Sequence, residues 1–252
     1  MHVFNSDGVS IAYRLAGEPQ AQPILLIHGF ASSSEVNWVN PGWVDRLVKE
    51  GRRVIAIDNR GHGGSERLYD AALYDSRDYM AEDARRLLDH LDIERADVMG
   101  YSMGARITAF LAINHPERVR SAIFGGLGSA AVSGLVDAEE IAAALEAPSP
   151  IGFTGQPRAF RAFADQTGSD RLALAACMRG SRRRASEDEM ATIGMASLVA
   201  IGTTDDIAGS GPDLVKLLPR GQFLPIPGRD HMRAVGDRVY MDGVVRFLNA
   251  RT

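Results

Sequence analysis

Short apolar runs alternate with amphipathic stretches through the first half of the chain. The runs Pro23 to Ile27, Arg53 to Ile57, Ala96 to Gly100 and Val119 to Phe124 are nearly all apolar, and Leu198 to Ile201 and Phe223 to Ile226 follow late in the sequence. A strand with one solvated face would alternate polar and apolar residues. Continuous apolar character instead predicts strands buried on both faces, as in a parallel sheet covered by helices. Pro225 lacks an N–H for the ladder, so the last run is expected at a sheet edge.

Between these runs, Met80, Ala84, Leu87, Leu88 and Leu91 recur at helical spacing and predict a surface helix from Arg77 to Asp92 with one apolar stripe. From Ser102 to Ile113 the apolar residues wrap most of the circumference, which predicts a buried helix. At the start, Val3 and Phe4, then Asp7-Gly8, then Ile11 to Tyr13 read as a hairpin, so the first strands should be antiparallel. The regularity breaks between Ser129 and Ala196. That stretch is alanine-rich and helical from Asp137 to Leu145, passes Pro148, Pro150 and Pro157, and ends in Arg179, Arg182, Arg183 and Arg184 followed by Glu187, Asp188 and Glu189. It is too short to build a separate core and reads as a helical insertion (129–196) between two strands of a core made of 1–128 and 197–252. Its arginines and acids predict a solvated, self-compensating helix face rather than an anion grip.

With 252 residues, 45% of them hydrophobic, the chain can bury a substantial core and is not disordered. The 28 basic residues are outnumbered by 32 acidic ones, leaving a formal charge of -4, so nucleic acid is not an expected partner. The single cysteine, Cys177, can close no intrachain disulfide and fits a reducing compartment, with the cytoplasm as the expected location. No export signal is read at the N-terminus, and no apolar run is long enough to span a membrane.

Candidate chemistry centres on Gly100-Tyr101-Ser102-Met103-Gly104, a G-x-S-x-G between a predicted strand and a predicted helix. A sharp turn there would strain the serine backbone, and glycines two before and two after would let neighbouring backbone approach. The helix N-terminus would favour negative charge developing at the serine. A serine hydroxyl needs a base and a group to orient it. Downstream, Gly202-Thr203-Thr204-Asp205-Asp206 and Gly228-Arg229-Asp230-His231 each follow a predicted strand, where ligands gather in open α/β sheets. His231 is the favoured base; His28 and His62 read as structural hydrogen-bonders, and His90 and His115 as solvated side chains. Asp205 is favoured over Asp206 as the acid. For an oxyanion the backbone N–H groups of Met103, at the helix start, and Phe30, in the loop after the first buried strand, are the expected donors.

These motifs, with His28-Gly29-Phe30 and the segment Asp58 to Ser65 (DNRGHGGS), resemble the α/β-hydrolase superfamily over essentially the whole chain. The resemblance implies an eight-stranded, mostly parallel sheet with a small helical cap between strands six and seven, and the chain order Ser102, Asp205, His231 suits it. Dehalogenases and epoxide hydrolases of this superfamily carry aspartate at the elbow, so Ser102 argues against both. Among the activities of its serine-bearing members, hydrolysis of a small-molecule carboxylic ester is the least demanding for such a triad and is the favoured reading, and the lack of a metal-ligand or Gly-x-Gly-x-x-Gly pattern predicts activity with neither metal nor nucleotide cofactor. The segment Ser32 to Trp38 resembles the corresponding loop of carbon–carbon hydrolases, which stand as the alternative together with cofactor-free haloperoxidases or perhydrolases and, from another class, small-molecule receptors on the same fold. Of the apolar cap residues Ile141, Leu145, Ile151, Phe153, Phe160, Phe163, Leu172, Leu174 and Met178, some are expected to roof an acyl pocket, with Phe153 and Met178 joined by Phe30, Met103 and Trp38.

Overall fold

The computed structural model describes residues 1–134, 138–181 and 183–250. Strands β1 (His2–Ser6), β2 (Val9–Ala16), β3 (Gln22–Ile27), β4 (Arg52–Ile57), β5 (Ala96–Tyr101), β6 (Val119–Gly125), β7 (Ala196–Gly202) and β8 (Gly221–Ile226) form one sheet in the order β1-β2-β4-β3-β5-β6-β7-β8. β2 pairs antiparallel with β1 and β4, and every other neighbouring pair is parallel. The hairpin turns at Asp7 and Gly8, whose φ values of 54° and 87° are both positive, the tight turn that Asp-Gly favours. β8, with Pro225, is an edge strand as its sequence demands.

The helices are α1 (Trp43–Lys49), α2 (Ala81–His90), α3 (Met103–Asn114), α4 (Ala130–Ser133), α5 (Ala138–Glu146), α6 (Gly155–Thr167), α7 (Arg171–Gly180), α8 (Glu187–Ala191), α9 (Gly211–Leu217) and α10 (Arg238–Asn249). Successive strand residues enter two different cores. Ile24, Leu26, Val54 and Ala56 meet Trp43 of α1 and Tyr240 and Val244 of α10, whereas Leu25, Ile27, Ile55 and Ile57 meet Leu87 of α2 and Phe110 of α3. Both sheet faces are therefore dry, which is why the runs do not alternate. α3 is buried without a break from Met103 to Ala112, as its all-round apolar pattern predicts. The predicted surface helix at Arg77 begins as one wider turn, Ser76–Met80, before α2 proper.

Helices α4 to α8 fill the chain between β6 and β7. The charged patch is not the single helix face expected there. Arg179, in the last turn of α7, pairs with Glu139 at 2.9 Å and with Glu146, both of α5. Arg183 and Arg184 lie in the loop before α8, and Arg182 and Asp137 lie outside the described residues. Glu189 caps α8 with Ser186 and pairs with Arg77 at 2.5 Å. Compensation reaches across elements because the described residues between α7 and α8 are not helical.

Candidate active site

Ser102 sits between β5 and α3 with φ 53° and ψ -113°, a conformation that L residues rarely adopt. The flanking glycines explain how the chain tolerates the turn. A Cβ on Gly100 would lie 2.1 Å from the Gly104 carbonyl oxygen, and one on Gly104 would lie 2.0 Å from that of Ile27. The Ser102 N–H donates to the Gly125 carbonyl at 2.8 Å, tying the turn to the end of β6. The serine is thereby held half-buried at the carboxyl rim of the sheet.

Two further strand ends converge on it. The loops after β7 and β8 are zipped together, with Thr204 N–H donating to the Arg229 carbonyl (3.1 Å) and Gly228 N–H to Thr203 Oγ1 (2.8 Å). A side chain on Gly202 would collide with the Arg229 carbonyl. This pairing sets Asp205 against His231: His231 Nδ1 donates to Asp205 Oδ2 at 2.8 Å, and Ser102 Oγ donates to His231 Nε2 at 2.9 Å. The other carboxylate oxygen of Asp205 accepts the Ile207 and Ala208 N–H groups, both at 2.9 Å. Burial pushes this carboxyl up, but His231 and the two amides outweigh it and hold the group below the ordinary aspartate value. Asp206 is exposed.

The remaining histidines sort as expected with one exception. His28 is fully buried; its Nδ1 donates to the Gly29 carbonyl (2.7 Å) and its Nε2 accepts the Asn59 N–H (3.0 Å). His62 is buried beside it, and burial together with the nearby His28 lowers its pKa to about 3. His90 is exposed and stacks on Phe4. His115 is not merely solvated: it is half-buried and hydrogen-bonded to Glu82 of α2.

Two chambers open on either side of Ser102, sharing Phe30 and Phe160, whose rings meet edge to face at 5.8 Å. One chamber is lined by Met103, Arg106, Leu127 and Met178, the other by His231, Asn37, Ser32 and Phe163. Among the described residues, the N–H groups of Phe30 and Met103 have no protein acceptor. Phe30, Met103 and Met178 line the chambers. Trp38 does not: it is fully buried on the opposite face of the sheet, edge to face with Trp43. Glu35–Val39 forms a helical turn, which sends neighbouring side chains to different faces, so Asn37 lines the chamber and Trp38 turns away. Phe153 also misses the chambers, because a turn closed by its N–H on the Pro150 carbonyl precedes α6; Phe160, on the buried face of α6, takes its place. Ile151 and Leu172, also among the expected roofing residues, are exposed.

Three further residues contribute that the sequence reading does not single out. Asn37 Oδ1 accepts the Gly29 N–H at 2.8 Å, steadying the loop that carries Phe30. Tyr101 Oη donates to the His231 carbonyl at 2.5 Å, and burial and the nearby Asp205 push its phenol well above the ordinary value, keeping it a donor. Arg106 is the one charge on an otherwise apolar stretch of α3, a signal that was available in the sequence. Among the described residues no group of three or more His, Cys, Asp or Glu could hold a metal, and no helix is long and apolar enough to cross a membrane.

A family model described as alpha/beta hydrolase fold matches residues 22–150. A 2-hydroxymuconate semialdehyde hydrolase of Pseudomonas sp. strain CF600 is 43% identical over 111 residues, which are 44% of this chain and 38% of that protein. A bifunctional esterase/perhydrolase of Acinetobacter calcoaceticus is 32% identical over 116 residues, 46% of this chain and 40% of that protein. The matched stretch spans less than half of these relatives. The crystal structure of the enol-lactonase from Burkholderia xenovorans LB400 superimposes with a TM-score of 0.78 over 98% of this chain and 100% of that one, at 24% identity, a likeness of fold.

Proposed function

Because the chain belongs to the alpha/beta hydrolase fold family, we propose that it is a serine hydrolase of carboxylic esters, working through Ser102, His231 and Asp205 and an acyl-enzyme. The observation that carries this reading is the continuous hydrogen-bond chain from Ser102 Oγ through His231 to Asp205, at 2.9 and 2.8 Å, mounted on a strained turn. Ser102 Oγ attacks the carbonyl carbon while its proton passes to His231 Nε2. Asp205 fixes the imidazole tautomer and stabilises the imidazolium. The tetrahedral oxygen takes the N–H groups of Phe30 and Met103, both backbone donors, so neither side chain needs to be polar. Collapse expels the alcohol, which takes the proton from His231. Water, with His231 as base, then frees the acid and restores Ser102.

The leaving alcohol must meet His231, so it occupies the chamber that His231 lines, and the acyl group occupies the one beside Met103, Leu127 and Met178. The helical segment 129–196 acts as the cap and supplies Phe160 and Met178 to the roof. Its apolar walls should reward methylenes at up to about 0.8 kcal/mol each, raising kcat/KM severalfold from acetyl to butyryl or hexanoyl esters.

Two measurements test the assignment. Ser102→Ala is expected to lower turnover of a p-nitrophenyl ester by at least about a thousandfold, and a fluorophosphonate should label the peptide holding Ser102. Near-normal turnover in the variant, or label elsewhere, would overturn it. One observation favours a second reading. The 43% identity to a 2-hydroxymuconate semialdehyde hydrolase, with Asn37 lining the site, supports carbon–carbon hydrolysis by the same three residues. Faster turnover of a vinylogous 1,5-diketone than of any ester would select it.

A further inference from the structure

The chamber assigned to the acyl group holds one charge. Arg106 stands on α3 four residues after Ser102, its N–H bonded to the Ser102 carbonyl at 3.2 Å, and it lines the same chamber at only 7% exposure. Three other arginines are equally buried, and each has an acid: Arg60 pairs with Asp83 at 2.7 Å, Arg161 with Asp165 at 2.9 Å and Arg52 with Asp97 at 3.4 Å. Arg106 has none among the described residues. Its guanidinium reaches only backbone carbonyls, those of Ala130 at 3.0 Å, Ala131 at 3.3 Å and Arg183 at 3.4 Å. Burial and the neighbouring Arg184 lower its pKa to about 10, so it remains a cation at neutral pH. A buried cation facing neutral dipoles lacks the counter-charge that normally offsets its desolvation. Arg106 also lines the chamber beside Ser102.

We propose that Arg106 receives a carboxylate on the acyl half of the substrate, so that the ester cleaved is a half-ester of a short dicarboxylic acid. This rests on the ester reading above. Four residues of α-helix rise about 6 Å, which suits two to four carbons between the scissile carbonyl and the terminal carboxylate. Leu127, Phe160 and Met178 would pack against that chain, and a guanidinium offers the planar fork that a carboxylate accepts.

The test compares p-nitrophenyl glutarate half-ester with p-nitrophenyl valerate, which matches it in length without the charge. Wild type is expected to favour the anionic ester at least tenfold in kcat/KM. Arg106→Met should cut that anionic-to-neutral ratio by thirtyfold or more, and Arg106→Lys should retain part of it. A wild-type preference for valerate, or a ratio unchanged in Arg106→Met, overturns the proposal and leaves Arg106 as a clamp on the three carbonyls. If Arg106→Met does not fold, the wild-type ratio and the lysine variant decide. Glutarate binding to Ser102→Ala, measured by calorimetry, separates the two layers of argument: binding that weakens at least tenfold on adding Arg106→Lys, without turnover of either ester in wild type, sustains the anion site and rejects the ester reading. Turnover of valerate with no glutarate binding does the reverse.

Discussion

The carboxyl rim of the sheet and the helical segment between β6 and β7 meet at Ser102, yet they are determined in different ways. At the rim, backbone fixes position: Gly100, Gly104 and Gly202 stand where a Cβ would strike a carbonyl within 2.1 Å, and the strand ends admit one arrangement of Ser102, Asp205 and His231. In the helical segment, side chains fix position. Phe160 reaches the site through its ring contact with Phe30, and α7 packs against the turn Ala71–Tyr74. On the proposed mechanism, chemistry belongs to the rim and shape to the helical segment, so substitutions should separate rate from selectivity.

The largest effect that would break this division is expected at the acid. Asp205→Asn should lower kcat about a thousandfold by stranding His231 in the wrong tautomer, while Asp206→Asn stays within about twofold; thermal unfolding of both variants checks that the fold survives, and the opposite ranking would move the role to Asp206. Next in size is Trp38→Ala, which should cost about 3 kcal/mol of stability in denaturant unfolding and leave the acyl-length profile unchanged, because Trp38 packs on the far face. A changed profile would put it back in the pocket. Phe160→Ala should lower kcat/KM about tenfold for long acyl esters and less for acetyl esters, since it opens the wall between the chambers; equal losses for both would make Phe160 a packing residue only.

A pH-dependent slope of stability, rather than a rate, sharpens the comparison within the rim. His62 binds its proton only near pH 3 when folded, against about 6.5 in the unfolded chain. Between those values the unfolded state holds more protons, so stability rises with pH, by up to about 1.4 kcal/mol per unit for this one group, and falls as pH drops from 6.5 towards 3. In denaturant titrations across that window, His62→Gln should flatten the slope. An unaltered slope would mean that His62 is protonated in the folded protein.

How much was legible follows the same line. The strands, the hairpin, the elbow and the three polar residues at the rim could be read because each depends on local constraint: a positive φ, a missing Cβ, a carbonyl in reach, two dry sheet faces. Trp38 and Phe153 were misread because the face a residue presents depends on whether a loop winds into a helical turn, which neighbouring elements decide. The roles of Asn37 and Tyr101 rest on hydrogen bonds to partners 8 and 130 residues away, which their local motifs do not specify. The arginines before α8 misled for the opposite reason, since Arg179 and Glu189 find their partners on other elements.

The edge-to-face contact of Phe30 and Phe160 has a kinetic consequence. On the proposed mechanism it partitions the cleft, so the two halves of a substrate diverge at the scissile carbonyl and lie in separate compartments. The alcohol can then depart while the acyl group stays in place, and whatever next enters the vacated side decides the product. Water yields the acid, whereas an added small alcohol would intercept the acyl-enzyme and yield a new ester, with parallel-line ping-pong kinetics and a product ratio set by the contents of one compartment alone.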